Sequence, residues 1–481
     1  MAGLLPDSFS ERRWFAGKGR LAMGLHLADA VSLGERSWLA IVEVRYETGS
    51  PDRYLVPFLI GEIEATAESG VREARPGDGA WRDLAALIAT GDVRRTLAGG
   101  ALICRPAAGL VDLVNRPSDV GGIAERALGA DQSNTSVVLG ERLLLKAYRR
   151  CQTGLNPDLE LNAYLAEEVA APFVPALAGW AELVAPDGTA STIAMLSEYL
   201  VDSADAYEAL AEELTDWLLA PGEVTVEYAT EEAARLGTVT AALHATLLAA
   251  DGLPGFETRA ASAQDLRHWR LAADARLQAA IETLEGLDDQ VPADGLRALG
   301  PSIRERYAAF EAPALDAAPP IVARIHADLH LGQILIDAEG GLRIVDFEGD
   351  PLRPMDDRRE ADSPLRDVAS MLRSLDHVGR SARRRAEGRN GGPLERTGLD
   401  LDGWLLRARA RFLAAYAAGI AAAGSGIVID PGLLRAMELE KECAEFAYAA
   451  TYLPGWLWAP REGMAALVSQ PLDVTRTRPT R

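Results

Sequence analysis

The chain contains 481 residues, of which 49 are basic and 71 acidic, and its formal net charge at pH 7 is −22. Hydrophobic residues make up 48% and charged residues 25% of the chain, which is typical of a globular protein and excludes a disordered or collagen-like one. The negative charge argues against nucleic-acid and anionic-membrane partners, because both require clustered lysine and arginine. Only Lys18, Lys146 and Lys441 are lysines, so each is a candidate for a specific role.

The cysteines and the apolar runs indicate where the protein resides. Cys104, Cys151 and Cys443 lie far apart and form no CxxC pair, as expected for reduced thiols. The first residues lack the pattern of a signal peptide, and no apolar run approaches the roughly 18 residues of a membrane span. We therefore expect a cytoplasmic protein that is a monomer or at most a weak dimer.

The first part of the chain has the pattern of short strands. Residues 38–63 alternate apolar and polar side chains around a Gly-Ser-Pro-Asp turn, which predicts a β-hairpin. Short strands and glycine-bearing turns follow over 101–140, and Lys146 falls on the next strand. A helix is predicted over 157–170, because proline opens it and acidic residues fill its first turn. Another strand is predicted over 191–200.

Beyond residue 200 the hydrophobic periodicity becomes helical. One strand-rich island, 321–348, interrupts it, and the Arg/Gly-rich segment 381–398 predicts an exposed mobile loop. We therefore expect three parts: a β-rich cap over 1–95, a mixed α/β part over 96–200, and a mostly helical part over 201–481. The predicted helices cover 206–220, 231–250, 262–287, 302–311, 401–423 and 432–452.

The strand-rich island carries the candidate chemistry. Two strand-like runs, 333–337 and 342–346, flank an Ala-Glu-Gly-Gly turn, so that Gln333 and Asp346 would meet at one edge of a hairpin. Asp328 lies on the preceding loop and would overhang that edge. Phosphoryl transfer uses such a set, because it needs a base that orients a hydroxyl and oxygen ligands for Mg²⁺.

The motifs HADLHLGQ and VDFEG at this place resemble the aminoglycoside-phosphotransferase branch of the protein-kinase-like fold, whose catalytic loop reads H-G-D-x-H-x-x-N. The resemblance implies that Asp328 is the catalytic base and that Gln333 stands in place of the usual metal-binding Asn. It also implies that Asp346 is the main Mg²⁺ ligand. Glu348 lies two residues further on, on the same face of an extended chain, and is therefore predicted to reach a second metal ion.

Further blocks are similar to those of the bacterial maltokinases and their relatives, the actinobacterial glucosamine kinases. They run in the same order over nearly the whole chain: RRWFAGKGR, GADQSNTSVVLGERLLLKAYRR, NPDLEL and EKECAEFAYAATYLPGWLWAP. The resemblance implies an α+β, two-lobed protein-kinase-like fold of the aminoglycoside phosphotransferase type, with an extra N-terminal β-rich cap subdomain.

The same resemblance assigns a nucleotide site for ATP. It places Lys146 on the α- and β-phosphates and makes Glu160 the carboxylate that holds this lysine. The hinge residues Glu198 and Leu200 would meet adenine through their backbone. A polar loop would cover the phosphates with Ser133, Asn134 and Thr135.

A sugar site is predicted near the C-terminus. Lys441, Glu445 and Tyr448 share one helical face, and Trp456 follows after a Pro-Gly break; charged, phenolic and indole groups together suit a pyranose. His330 and Asp367 are further candidates for contact with the substrate. Ala449 replaces a Glu of the maltokinases, and this loss of a large polar group disfavours a second sugar ring. An acidic pocket suits a single ring with an ammonium group.

The first hypothesis is therefore a Mg²⁺-dependent kinase that uses ATP to phosphorylate D-glucosamine at its 6-hydroxyl. A maltokinase that forms maltose 1-phosphate is the alternative within the same class. A zinc metallohydrolase built on His326, Asp328, His330 and Asp346 is an alternative of a different class. A third alternative is a catalytically silent sensor of sugar or nucleotide, against which the intact lysine and carboxylates argue.

Overall fold

The computed structural model describes residues 12, 14, 15, 17, 20–62, 69–129, 134–220, 226–311, 319–349, 354–394 and 401–470. The strands are β1 (Ala22–Ser32), β2 (Ser37–Tyr46), β3 (Asp52–Glu62), β4 (Ser69–Glu73), β5 (Val93–Arg95), β6 (Ala101–Pro106), β7 (Glu125–Ala127), β8 (Thr135–Leu139), β9 (Leu143–Ala147), β10 (Leu177–Val184), β11 (Ala190–Glu198), β12 (Ala204–Asp205), β13 (Arg259–Ala260), β14 (Ile321–Val322), β15 (Ile334–Ile336) and β16 (Leu342–Ile344). The helices are α1 (Ala80–Thr90), α2 (Leu110–Leu113), α3 (Pro157–Asn162), α4 (Ala206–Leu219), α5 (Val226–Ala249), α6 (Ala263–Glu285), α7 (Val291–Tyr307), α8 (Met355–Arg358), α9 (Leu365–Asn390), α10 (Leu401–Ala422), α11 (Pro431–Tyr452) and α12 (Trp458–Ser469).

The chain forms two compact units. The first comprises Met1–Ser203 and Asp337–Arg358, and the second comprises Ala204–Ile336 and Arg359–Arg481. The strand-rich island predicted from the sequence is thus shared: β15 belongs to the second unit, and β16 belongs to the first. The three-part division at residues 95 and 200 stays a prediction.

The first unit contains two antiparallel sheets. The predicted hairpin over 38–63 is present as β2 and β3, which lie inside a four-stranded sheet of order β1-β2-β3-β4. The second sheet has seven strands in the order β5-β6-β10-β11-β9-β8-β7. Helix α1 packs on this sheet with Trp81, Leu84 and Ile88 fully buried.

Strand β9 positions Lys146 near the middle of the seven-stranded sheet. Its sequence LLLKA alternates fully and partly buried residues, and Lys146 pairs with Ser136 on one side and Met195 on the other. Because alternate side chains of a strand point to opposite faces, the buried leucines fix the face on which the lysine emerges.

Helix α3 is shorter than the predicted helix over 157–170. It begins at Pro157, and the side chain of the N-cap residue Asn156 accepts a hydrogen bond from the backbone N–H of Asp158. After residue 162 the chain continues as a π-helical turn, Ala163–Glu168. The predicted helix is therefore divided into an α-helical first part and a wider π-helical second part.

The second unit is mostly helical, and its central element is α9. We expected an exposed loop over 381–398, and this prediction was wrong for 381–390: α9 continues to residue 390, and Ser381 and Ala382 are buried. Residues 395–398 lie outside the described residues. Its arginines pair with carboxylates of α4, as Arg385 does with Glu208 at 2.8 Å. These ion pairs hold a segment whose composition alone is typical of a solvated loop.

Helix α11 is held by buried ion pairs. The carboxylate of Glu438 lies 3.1 Å from Arg373 and 2.6 Å from Arg409, and that of Glu440 lies 2.8 Å from Arg366. Removing one partner of a buried pair is costly, because it leaves an uncompensated charge. The network therefore fixes the position of α11, the helix that carries the predicted sugar residues.

No helix in the described ranges is both long and apolar enough to cross a bilayer. Cys104 and Cys443 are buried, and Cys151 is partly buried, all as free thiols. The cytoplasmic location and the monomeric or weakly dimeric state stay predictions.

Candidate active site

A compact cluster of opposite charges surrounds Lys146 in the first unit. Its ammonium nitrogen lies 2.8 Å from a carboxylate oxygen of Asp158, 2.5 Å from Asp346 and 2.7 Å from Glu348. Burial lowers the pKa of Lys146, but the three carboxylates outweigh this effect and raise its pKa well above the ordinary value. The lysine is therefore a fixed positive charge at neutral pH.

The carboxylate that holds Lys146 from α3 is that of Asp158, and the prediction of Glu160 for this place is corrected. Asp158 also accepts hydrogen bonds from the hydroxyl of Tyr148 at 3.0 Å and from the side-chain amide of Asn162 at 3.0 Å. Residues two positions apart on an α-helix are about 200° apart around its axis, so one face cannot present both acidic residues to the lysine. The N-cap and Pro157 set the helical phase that selects Asp158.

Asp346 and Glu348 follow β16, and the backbone of Asp346 has an unusual conformation. Asp346 has φ 67°, a left-handed value that is uncommon for residues other than glycine. The next backbone N–H, that of Phe347, donates to Asp158 at 2.9 Å. This hydrogen bond ties the turn to α3, so the strained conformation is supported by its surroundings.

The three carboxylates of this cluster fit a divalent cation. Asp158, Asp346 and Glu348 each offer an oxygen atom, and these atoms lie within 4.8 Å of one another. Burial raises the pKa of Glu348, whereas Lys146 lowers it, and the net shift is upward. An all-oxygen donor set of this kind matches the preference of Mg²⁺. Gln333, the predicted amide ligand, belongs to the second unit, and its role stays a prediction.

The predicted phosphate loop is only partly within the described residues. Asn134 donates a hydrogen bond to the carboxylate of Glu348, which connects this loop to the charged cluster. Thr135 begins β8, and its hydroxyl accepts from Arg149 at 3.4 Å. Ser133 lies outside the described residues.

The predicted hinge residues lie at the end of β11. The backbone N–H of Glu198 donates to the carbonyl of Ala176 at 2.8 Å, and the hydroxyl of Ser203 donates to the carbonyl of Leu200 at 2.9 Å. These two backbone groups therefore have partners within the first unit. Their contact with adenine stays a prediction.

In the second unit, Asp328 meets the C-terminal helix predicted to bind sugar. The ammonium group of Lys441 lies 3.2 Å from Oδ1 of Asp328 and 3.1 Å from the carboxylate of Glu445. Burial lowers the pKa of Lys441, but both carboxylates raise it to a value well above the ordinary one. Burial raises the pKa of Glu445, but Lys441, His377 and His330 together outweigh burial, and the net shift of the pKa is downward. The side chain of Asp328 is 27% exposed, so a substrate can reach it.

Two histidines shape the loop around Asp328. Nδ1 of His326 accepts from the backbone N–H of Asp328 at 3.4 Å, and Nδ1 of His330 accepts from the N–H of Gly332 at 3.1 Å. Burial lowers the pKa of His330, which favours the neutral ring with its proton on Nε2. Nε2 of His330 lies 3.9 Å from Oδ2 of Asp328, so His330 borders the oxygen that does not contact Lys441.

The residues of the zinc hypothesis do not form a metal-binding group in the described part of the chain. Within the described ranges, Asp158, Asp346 and Glu348 form the only group of His, Cys, Asp or Glu side chains close enough together to hold a metal ion. Both histidines of the HADLH motif instead use Nδ1 to accept backbone hydrogen bonds. The motif therefore organises a loop.

Asp367 has a different place from the one predicted for it. We expected it to contact the substrate, but it is buried at 1% exposure under the loop of Asp328. Its two oxygens accept from the backbone N–H groups of His326 at 2.8 Å and Ala327 at 3.0 Å. His244 contacts it through Nε2 at 3.2 Å and meets the hydroxyl of Tyr416 through Nδ1 at 2.8 Å. This chain of contacts holds Ala327 at φ 70°.

Replacing Asp367 with Asn should therefore lower kcat by about 10- to 100-fold with little change in KM, because a displaced loop misaligns the base without removing it. Steady-state kinetics with both substrates tests this expectation. Asp402→Asn is the control, since the side chain of Asp402 is 82% exposed. An unchanged kcat in the Asp367 variant would contradict the positioning role.

The aromatic residues of the predicted sugar site lie at the end of α11 and beyond it. Tyr448 is 38% exposed, and its ring lies 5.1 Å from that of Tyr452. Trp456 meets the ring of His377 edge-on at 4.9 Å, and His377 lies 3.0 Å from the buried carboxylate of Glu442. Two site residues were not predicted: no motif marks His377, and Asp158 lies in the block NPDLEL, in which Glu160 was the predicted partner of Lys146.

Comparison with known proteins identifies relatives along almost the whole chain. Residues 125–401 match the model of a protein family described as "Phosphotransferase enzyme family". A glucosamine kinase of Streptacidiphilus jiangxiensis is 31% identical over 454 residues, which cover 93% of this chain and 92% of the relative. A second glucosamine kinase, from Mycolicibacterium smegmatis (strain ATCC 700084 / mc(2)155), is 31% identical over 349 residues, which cover 72% of this chain and 80% of the relative.

A solved structure of a glucosamine kinase in complex with glucosamine, ADP and inorganic phosphate is also similar. It has a TM-score of 0.68 and 27% sequence identity, and the match covers 95% of this chain and 96% of the other. These similarities confirm the expected α+β fold of the kinase-like type.

Proposed function

The chain belongs to the phosphotransferase enzyme family, and from this premise we propose that it is a D-glucosamine kinase that transfers the γ-phosphoryl group of ATP to the 6-hydroxyl of the sugar. Two curated glucosamine kinases, each 31% identical to this chain, support the choice of acceptor. The similar solved structure that holds glucosamine and ADP supports the choice of both ligands.

The observation that carries the proposal is the contact between Asp328 and Lys441. The ammonium group at 3.2 Å fixes Oδ1 of Asp328, and the partly exposed carboxylate keeps Oδ2 for another partner. A hydroxyl of the sugar can donate its hydrogen bond to Oδ2 and pass its proton there as the phosphoryl group is transferred. His330 borders the same oxygen and orients the loop.

The first unit supplies the groups proposed for the triphosphate, apart from Gln333, which belongs to the second unit. Lys146 would contact the α- and β-phosphates, and its positive charge would attract their negative charge. Asp346 and Glu348, with Asp158 beside them, would hold Mg²⁺, and Gln333 is proposed as an amide ligand. A bound Mg²⁺ would neutralise charge on the phosphate oxygens. The remaining proposed nucleotide contacts are Ser133, Asn134, Thr135, Glu198 and Leu200.

The second unit supplies the groups proposed for the sugar. Glu445 carries a carboxylate whose pKa is lowered by Lys441, so it remains an anion that can accept from hydroxyl or ammonium groups. Tyr448 and Trp456 offer aromatic surfaces to the C–H face of a pyranose. A single ring with an ammonium group matches this mixture of charge and aromatic surface better than the uncharged disaccharide maltose.

A panel of acceptors tests the proposed function. With ATP and Mg²⁺, glucosamine should give the highest kcat/KM, glucose a lower one and maltose no measurable rate, in a coupled assay of ADP release. The ³¹P and ¹H NMR spectra of the product should show a phosphomonoester on C6. Formation of maltose 1-phosphate would instead establish the maltokinase alternative, and no sugar-dependent ADP release would refute both.

A further inference from the structure

A pocket lies in the helical unit, at the C-terminal end of α9 and beside α12. Its volume is about 640 Å³, which is within the usual range for pockets that hold small molecules. None of the residues proposed for the nucleotide or the sugar lines it. The lining residues that matter here are Arg380, Arg383, Arg384, Glu387 and Glu462.

Arg380 forms the rigid wall of the pocket. It is buried, and Nε and Nη2 of its guanidinium group bind the two oxygens of Asp376 at 2.7 and 3.1 Å. Its Nη1 lies 3.3 Å from the carboxylate of Glu462, a residue of α12. This wall joins α9 to α12, so the pocket is part of the folded unit.

Arg383 and Arg384 are much less neutralised. The guanidinium group of Arg384 stacks over the ring of Trp458 at 4.3 Å, and no carboxylate within the described ranges pairs with it. Arg383 lies 3.9 Å from Asp402, whose side chain is largely exposed. Stacking on an indole holds a guanidinium group by its face and keeps its N–H donors at the edge available for a ligand.

The neighbouring arginines of the same helix differ from these two. Arg385 binds Glu208 at 2.8 Å, and Arg389 binds Glu212 at 2.7 Å. The two poorly neutralised arginines, Arg383 and Arg384, therefore both line the pocket, next to the neutralised Arg380. Two arginines with little neutralisation side by side are unusual in a chain whose net charge is −22.

We propose that this pocket binds a small phosphomonoester, specifically the phosphate of an amino sugar. Arginine forks match the oxygens of a phosphate group and bind it with charge-assisted hydrogen bonds. Glu387 and Glu462 at the same pocket provide acceptors for hydroxyl and ammonium groups of the sugar. The choice of glucosamine 6-phosphate as the ligand rests on the proposed function, because this compound is the product of the proposed reaction. The pocket would then bind the product of the reaction at a place separate from the residues that catalyse its formation.

Isothermal titration calorimetry on the full chain tests the proposal, with glucosamine 6-phosphate, glucose 6-phosphate and inorganic phosphate as separate probes. The pocket variant is Arg383→Gln/Arg384→Gln, and the matched control is Arg385→Gln/Arg389→Gln. We expect the pocket variant to bind glucosamine 6-phosphate at least about tenfold more weakly than the wild type, and the control to bind it as the wild type does. All three proteins should keep the same kcat.

Equal affinity in the wild type and the pocket variant would overturn the proposal, because the product would then bind only elsewhere. Absence of heat with the wild type at millimolar ligand would overturn it as well. Inorganic phosphate binding as tightly as the sugar phosphate would overturn the choice of an amino-sugar ligand. Failure of the wild type to phosphorylate glucosamine would refute the proposed function instead, and the binding comparison of the three proteins does not depend on that turnover.

Discussion

Asp328→Asn is expected to lower the sugar-dependent release of ADP by about 10²- to 10⁴-fold, the range associated with a general base. The amide is isosteric with the carboxylate and can still accept a hydrogen bond from Lys441, which lies 3.2 Å from Oδ1 in the native protein. It has no capacity to take a proton from the sugar hydroxyl. The expected loss is therefore in kcat, with a smaller effect on the KM of ATP. A coupled assay at saturating concentrations of both substrates measures it.

Asp402→Asn serves as the control for Asp328→Asn, since it removes one carboxylate from an exposed position of the same unit. Thermal unfolding of both variants shows whether the fold is kept. A folded Asp328 variant that retains more than about a tenth of the wild-type kcat would contradict the assignment of Asp328 as the base. It would leave the contact with Lys441 as an ion pair of structural importance only.

The parts of the site that the sequence predicted well depend on local patterns. The alternation of residues around Lys146 predicts a strand with the lysine on one of its faces, and the structure has that strand as β9. The helical spacing of Lys441 and Glu445 predicts a shared face, and the two side chains form an ion pair at 3.1 Å. A period of two residues in a strand, or of 3.6 in a helix, shows directly which side chains share a face.

The parts that could not be predicted depend on helical phase and on partners far along the chain. Asp158 rather than Glu160 meets Lys146, because the N-cap and Pro157 determine which side of α3 faces the sheet. Asp367 supports the loop of Asp328 from 41 residues away in sequence. The length of α9 depends on pairs such as Arg389 with Glu212, which are 177 residues apart. No local window contains both members of such pairs.

The rarity of lysine in this chain has a physical counterpart in the two charged clusters. Lys146 contacts three carboxylates within 2.8 Å, and Lys441 contacts two within 3.2 Å. A compact ammonium group can satisfy several carboxylates that converge on one point, whereas the planar guanidinium group of arginine favours two parallel hydrogen bonds. Arginine suits the pairs elsewhere on the helices, and lysine suits these two points. Lys18 lies outside the described residues.

Asp346→Ala is expected to abolish measurable turnover. Stabilisation of transferring phosphoryl groups by a metal ion amounts to several kcal/mol, so loss of its main ligand should lower kcat by about 10³-fold or more. The variant also removes the carboxylate that lies 2.5 Å from Lys146, although Asp158 and Glu348 still hold the lysine. The fold should therefore survive, and the apparent affinity for Mg²⁺ should fall together with kcat.

A titration of activity with Mg²⁺ at saturating ATP and glucosamine tests both effects of Asp346→Ala. Asp187→Ala is the matched control, because Asp187 is an exposed carboxylate of the same unit between β10 and β11. A folded Asp346 variant with the Mg²⁺ dependence and the kcat of the wild type would exclude Asp346 as the metal ligand. Loss of turnover together with unfolding would instead make Asp346 a structural partner of Lys146, and circular dichroism distinguishes the two cases. The charged cluster has a catalytic role only if turnover falls while the spectrum stays native.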